Sequence, residues 1–198
     1  IAALFGNTPK KLFVGIITSG LLGVSMIASL NLLYYVFTTG ETIHVNMLDW
    51  IVIGNVNIPF GFVVDQVSVV MMVVVTIVST MVHIHSIGYM DHDRGFNRFF
   101  SYLSAFVFSM MILVMSDNFA GLFIGWEGVG LCSWLLIGFW YHKADVEKSK
   151  DIEKSPFSTL SPFSSISPAY AANEAFIMNR VADLGMLIGI FLIFWNLG

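Results

Sequence analysis

The sequence has few charged side chains and a single cysteine. Charged residues make up 11% of the 198 residues, whereas an ordinary soluble domain has about 25%. The one cysteine, Cys132, excludes an internal disulfide and any metal cluster held by several thiolates of this chain. There is also no basic tract of the kind that binds nucleic acid. We therefore expect neither an ordinary soluble domain nor a nucleic-acid-binding protein.

Hydrophobic residues are abundant instead. They make up 57% of the sequence, and the mean hydropathy is +0.81. This composition is typical of a membrane protein. The chain starts with Ile1 and is still apolar where it stops, so we expect it to be part of a longer membrane protein. A cleaved signal peptide is the alternative for the start, although no charged n-region or small-residue cleavage site is visible.

Five stretches are long and apolar enough to cross a hydrocarbon core of about 30 Å as helices, at about 1.5 Å per residue. We place these spans at about residues 12–39, 62–88, 99–116, 118–141 and 169–197. The last span follows Ser167, placed to cap the helix, and Pro168, placed at the first helical position. The predicted fold class is an all-α polytopic membrane protein.

Two segments between the spans have other patterns. Residues 42–60 are rich in β-branched and aromatic side chains, and Gly54-Asn55 separates two short runs, so we predict a small β-hairpin on the membrane surface. Residues 143–167 are first mostly charged and then rich in serine and proline. We predict a polar, partly disordered loop there.

The lysines and arginines predict the orientation in the membrane. Counting through the five spans places eight of the nine basic residues on one side: Lys10, Lys11, Arg94, Arg98, Lys143, Lys148, Lys150 and Lys154. The side with the hairpin has none, and the ninth basic residue lies within the last span. By the positive-inside rule, the basic loops face the cytoplasm and the hairpin faces the non-cytoplasmic side.

Glu127 is the only acidic or basic residue in the fourth span. If Asn118 marks the non-cytoplasmic end, Glu127 lies about 14 Å deep, near the bilayer centre. An ionised carboxylate there costs a few kcal/mol, so we expect the acid to be protonated unless water or a cation accompanies it. Such a group is a candidate proton carrier. The alternative is an acid that only hydrogen-bonds across a helix interface.

Glycines surround Glu127. Gly121 and Gly125 form a GxxxG step that favours close helix packing, whereas Gly125, Gly128 and Gly130 would also leave space for water. We favour packing as their main role.

The fifth span carries two opposite charges, Arg180 and Asp183. They lie about 16 to 21 Å from the start of that span, and their i, i+3 spacing predicts an ion pair on one helix face. If the pair opened, Arg180 could stabilise another ionised acid, so that movement of the arginine would be coupled to movement of a proton. The alternative is a pair that only neutralises itself.

Two histidines, His83 and His85, lie near the cytoplasmic end of the second span. Imidazole titrates near neutral pH, so either residue could relay protons between water and the membrane interior. We favour His83 because it lies deeper, with an interfacial role as the alternative. A haem-binding electron carrier ranks last, because it needs histidines on facing spans and these two share one span. Asp65 lies at the beginning of the second span, where capping the helix is favoured over lining the mouth of a path.

Four strings, GWEGVGLCSWLLIGFW, NRVADLG, FVVDQVSV and NRFFSYLSAF, together resemble the large antiporter-like subunit, chain L, of proton-pumping NADH:quinone oxidoreductase, respiratory complex I. The resemblance extends from about Ile58 to Trp195. It implies a longer helix bundle with inverted repeats, of which residues 1–198 are the N-terminal part, in the bacterial inner membrane.

The resemblance also implies residue roles and partners. Glu127 matches the family's key glutamate, Arg180 and Asp183 match its arginine and aspartate, and His83 matches a family histidine. The family's partner lysine would lie beyond residue 198. The implied function is proton translocation, with protons, lipid and the other subunits as partners. No cofactor is expected in this chain, since NADH, flavin, iron–sulfur clusters and quinone belong to the other subunits.

Two other functions stay open at this point. A subunit of a multi-subunit cation/proton antiporter would have the same fold without electron transfer. A passive membrane scaffold would use its buried charges only to hold helices together.

Overall fold

The computed structural model describes residues 11–53, 56–93, 95–141 and 168–197. The described residues form five helices and two strands: α1 Lys11–Thr39, β1 Ile43–Ile53, β2 Val56–Val64, α2 Gln66–Tyr89, α3 Phe96–Met115, α4 Phe119–Ile137 and α5 Pro168–Leu197. Each helix is long and apolar enough to cross a membrane, and the strands form one antiparallel sheet. The predicted fold class is therefore confirmed. The chain divides into two compact units, Ile1–Val129 and Gly130–Gly198.

The second span starts later than predicted. Strand β2 continues to Val64, and α2 begins only at Gln66 because Asp65 caps it. The Asp65 carboxylate accepts the backbone N–H of Ser68 at 2.7 Å, and the Ser68 hydroxyl accepts the backbone N–H of Asp65 at 2.8 Å. This capping box satisfies two amide groups that a helix start leaves without partners, and it makes the predicted start near residue 62 four residues too early.

The hairpin is correspondingly longer than the predicted range of 42–60. Its register runs from Ile43 opposite Val64 to Ile53 opposite Val56. The predicted turn at Gly54-Asn55 lies outside the described residues, as do the polar loop at 143–167 and the cap at Ser167. Helix α5 begins at Pro168, as the preference of proline for the first helical turn predicts.

Strand β2 contacts the connection between α3 and α4. Phe62 forms an isolated antiparallel bridge with Ser116, and the side-chain amide of Asn118 donates to the carbonyl oxygen of Pro59 at 2.7 Å. A Cβ atom at Gly61 would collide with the Asp117 carboxylate, so only glycine allows this approach. The hairpin and the α3–α4 connection therefore lie at the same end of the first unit.

Helices α1 and α2 pack antiparallel along their length. Near the hairpin, the core consists of Val36, Val64, Val69 and Met72. Farther along, the Ser29 and Thr76 hydroxyls are buried and hydrogen-bonded at 2.8 Å. At the opposite end, a Cβ atom at Gly15 would lie 3.1 Å from side-chain atoms of both Ile87 and Phe96. Small and polar residues at such contacts are typical of membrane helices.

Candidate intramembrane ionisable site

His83 is fully buried within the first unit, with 0% of its surface exposed. Its Nδ1 lies 2.8 Å from the Ser79 carbonyl oxygen, which can only accept, so Nδ1 carries a hydrogen. In the neutral ring, Nε2 is then an acceptor, and the Ser104 hydroxyl lies 3.5 Å from it on α3. The Phe100 ring packs edge-on, with its centroid 5.8 Å from that of His83. Among the described residues, Ser104 is thus the hydrogen-bonding neighbour of Nε2 on another helix.

His85 lies in a different environment. It is exposed and stacks on Tyr89 of the same helix, with the ring centroids 6.3 Å apart. The two histidines are two positions apart and so lie on opposite sides of α2. Only His83 is enclosed by neighbouring helices.

Glycines on both sides of Glu127 hold α4 against α3. A Cβ atom at Gly125 would lie 2.5 Å from the backbone nitrogen of Leu113, and one at Gly128 would lie 2.5 Å from the Ser109 hydroxyl. The predicted packing role is confirmed for Gly125 and Gly128, whereas a Cβ atom at Gly130 would meet only the Asn179 side chain, at 3.8 Å. Glu127 is half-buried and lies roughly 100° around the helix from Gly128, on a different face. The face used for packing is therefore not the one that presents the acid.

Arg180 and Asp183 form the predicted ion pair in the second unit. Nη1 of Arg180 donates to Oδ2 of Asp183 at 3.2 Å. The Asp183 side chain is 7% exposed and the Arg180 side chain 38%. A carboxylate so deeply buried requires a nearby cation or hydrogen-bond donors, and the arginine one turn away supplies both.

A chain of contacts connects Arg180 to three further residues of the second unit. The Arg180 guanidinium carbon lies 4.5 Å from the centre of the Phe176 ring. That ring packs against Trp134 at 5.9 Å, and Nε1 of Trp134 donates to Oδ1 of Asn173 at 3.1 Å. Sequence reasoning missed Phe176, although its i, i+4 spacing to Arg180 is a usable signal. The Trp134–Asn173 contact joins positions 39 apart, which periodicity does not reveal.

The four predicted residues lie on three helices. Arg180 and Asp183 are in contact on α5, whereas His83 and Glu127 lie on α2 and α4 of the first unit. The functional roles assigned to them stay predictions. Asp65 caps α2, as favoured, and donation by the Ser68 backbone N–H lowers the pKa of its carboxyl below the ordinary value.

Comparison with known proteins gives similarities over the whole chain. Residues 50–100 match the model of a family described as NADH-Ubiquinone oxidoreductase (complex I), chain 5 N-terminus. NADH-quinone oxidoreductase subunit L of Campylobacter jejuni is 51% identical over 197 residues, which cover 100% of this chain and 28% of that protein.

Two further relatives come from other lineages. NADH-quinone oxidoreductase subunit L of Rickettsia bellii is 42% identical over 75% of this chain and 23% of its own length. NADH-ubiquinone oxidoreductase chain 5 of Dictyostelium citrinum is 36% identical over 98% of this chain and 26% of its own length. The chain thus spans between 23% and 28% of the length of these three relatives.

Proposed function

Because the chain belongs to the family of NADH-quinone oxidoreductase subunit L and NADH-ubiquinone oxidoreductase chain 5, we propose that it is part of a proton-translocating subunit in the membrane arm of respiratory complex I. In this proposal, NADH oxidation and quinone reduction in other subunits drive the translocation. The cofactors bind in those subunits, and this chain lies in a bacterial inner membrane with its hairpin on the non-cytoplasmic side.

The ion pair on α5 is the observation that carries the proposal. Helix α5 is otherwise apolar enough to span a membrane, yet it holds a buried aspartate 3.2 Å from an arginine. Ionisable groups in such segments are costly and mark ion or proton pathways in membrane proteins.

In the proposed mechanism, Glu127 takes up a proton and passes it on. Its carboxyl group gains the proton from water that reaches the membrane interior and gives it to a neighbouring base. Opening and closing of the Arg180–Asp183 pair changes the positive charge available to that carboxylate. Proton uptake and release by Glu127 are thereby coupled to movement of one guanidinium group.

His83 has a separate role in this mechanism. Its buried ring keeps one nitrogen hydrogen-bonded to the Ser79 carbonyl oxygen and presents the other to Ser104. A ring fixed in this way can accept a proton at Nε2 and return it without rotating. We assign His83 to proton exchange near the end of α2 that is predicted to face the cytoplasm.

The experiment is a set of neutral substitutions in the intact complex. Glu127→Gln and Asp183→Asn should each lower the rate of proton pumping by about tenfold or more, because both remove a titratable carboxyl group. NADH oxidation with an artificial electron acceptor should stay unchanged, since it reports assembly of the peripheral arm. Glu174→Gln is the matched control, because Glu174 is an exposed acid on the same helix as Asp183. Normal pumping by Glu127→Gln would refute the role of this acid.

A further inference from the structure

The Arg180 guanidinium has neighbours on both sides along one face of α5. Asp183, one turn later, lies 3.2 Å away as a hydrogen-bonding carboxylate. Phe176, one turn earlier, presents its ring face, with 4.5 Å between the guanidinium carbon and the ring centre. This distance is within the range of about 6 Å over which an aromatic face attracts a cation.

The Phe176 ring is itself held in place. It is half-buried and packs against the Trp134 indole at 5.9 Å, with 52° between the ring planes. The indole in turn donates its N–H to the Asn173 side chain at 3.1 Å. Restraint from another helix limits the rotamers of Phe176, so the ring face stays available to Arg180.

The two neighbours of Arg180 respond differently to a proton. When the Asp183 carboxylate is protonated, its negative charge and most of its attraction for the guanidinium disappear. The attraction of the Phe176 ring comes from its quadrupole, which no proton alters. The attraction of the ring therefore persists when the ion pair is lost, and it lowers the cost of a charged guanidinium in an apolar span.

We propose that Phe176 is a positioning residue that holds the Arg180 guanidinium beside Asp183 while the ion pair is open. Trp134 supports it by fixing the orientation of the ring. The ring confines Arg180 to a short movement on one helix face, so that the pair re-forms readily. This inference rests on the proposed function, because it assigns to Phe176 a part in the pairing of Arg180 with Asp183.

The test replaces Phe176 in the intact complex by phenylalanines with one, two and three ring fluorines. Each fluorine withdraws electron density from the ring face and weakens its attraction for a cation, whereas the size of the side chain hardly changes. Proton pumping is measured for each variant and divided by NADH oxidation with an artificial acceptor. The same series at Phe191, which is 65% exposed on the same helix, is the matched control.

We expect the normalised pumping rate to fall stepwise at Phe176, by about two- to tenfold across the series, and to stay constant at Phe191. Phe176→Tyr, which keeps the ring face, should retain activity, and Phe176→Leu should lose about as much as the trifluorinated variant. A role in packing alone would give equal rates for all fluorinated variants, and that result would overturn the inference. Asp183→Asn measured alongside tests the proposed function separately: impaired pumping there with a flat fluorine series would refute only the role of Phe176.

Discussion

The side-chain amide of Asn118 joins the hairpin to the helix that carries Glu127. Its nitrogen donates to the Pro59 carbonyl oxygen at 2.7 Å, and its oxygen accepts the backbone N–H of Gly121 at 2.8 Å. The first contact anchors β2, and the second caps the start of α4. One side chain therefore positions two elements that are far apart in the sequence.

Substitutions at Asn118 should separate these two contacts. Asn118→Asp keeps an oxygen that can cap α4 but removes the amide donor to Pro59 and to the Asp117 carboxylate, which accepts from the same nitrogen at 2.6 Å, whereas Asn118→Ala removes all three contacts. We expect Asn118→Asp to speed hydrogen–deuterium exchange in residues 56–64 by about fivefold or more, because the hydrogen bond to Pro59 is worth about 1 kcal/mol and the new carboxylate also repels that of Asp117. The first turn of α4 should be affected only by Asn118→Ala. Equal exchange in both variants and the wild type would contradict this assignment.

The capping box at Asp65 should make the start of α2 sensitive to acid. The pKa of the Asp65 carboxyl is lowered in the folded state, chiefly by the hydrogen bond from the Ser68 backbone N–H. The carboxylate therefore stabilises the folded state at pH values above about 3.9, the pKa of an aspartate in the unfolded chain. This contribution is lost as the pH falls below about 4 and through the folded pKa. Asp65→Asn keeps a capping oxygen that does not titrate.

Amide exchange in residues 66–69 provides the measurement for Asp65. Asp65→Ala should loosen this turn at neutral pH by about 0.5–2 kcal/mol, whereas Asp65→Asn should differ little from the wild type. Below about pH 4, the wild type should lose protection relative to Asp65→Asn. A constant difference between these two proteins from pH 7 to pH 3 would show that the carboxylate charge is unimportant.

Three glycines near Glu127 offer a graded test of helix packing. An alanine at Gly125 would meet the Leu113 backbone, one at Gly128 would meet the Ser109 side chain, and one at Gly130 would meet only an atom at 3.8 Å. The Ser109 hydroxyl can rotate away from an added methyl group, whereas the Leu113 backbone cannot. We therefore expect Gly125→Ala to cost about 1–3 kcal/mol, Gly128→Ala less, and Gly130→Ala almost nothing.

The amount and thermal stability of the purified complex would report these costs. Gly130→Ala is the matched control, since it adds the same methyl group to the same helix. Equal stability of all three variants would contradict the close packing of α4 against α3 at Gly125 and Gly128.

The two histidines of α2 should differ in their effect on pumping. We expect His83→Gln to lower the pumping rate by about tenfold or more, because the buried ring is the proposed relay. His85→Gln should stay within about twofold of the wild type, since His85 is exposed and contacts only Tyr89 among the contacts described above. Proton uptake by vesicles that contain the intact complex measures both. Similar rates for the two variants would remove His83 from the mechanism.

Hydrophobic length and charge spacing predicted much of this fold. Apolar runs identified all five helices, and the i, i+3 spacing predicted the contact between Arg180 and Asp183. The start of α2 was misplaced because Phe62–Val64 is as apolar as the helix that follows, and only the hydrogen bonds at Asp65 separate strand from helix. Contacts such as Trp134 with Asn173 depend on how helices face each other, which the pattern of one segment does not determine.

The three-residue connection between α3 and α4 also constrains how the protein enters the membrane. Only residues 116–118 connect the two helices, so α3 cannot move far into the lipid before α4 follows it. We therefore expect α3 and α4 to leave the translocon together as a helical hairpin. Helix α3 has a single charged residue, Arg98, near its start. Its apolar surface can therefore offset the cost of inserting the Glu127 carboxyl group during biosynthesis, before any later helix has been made.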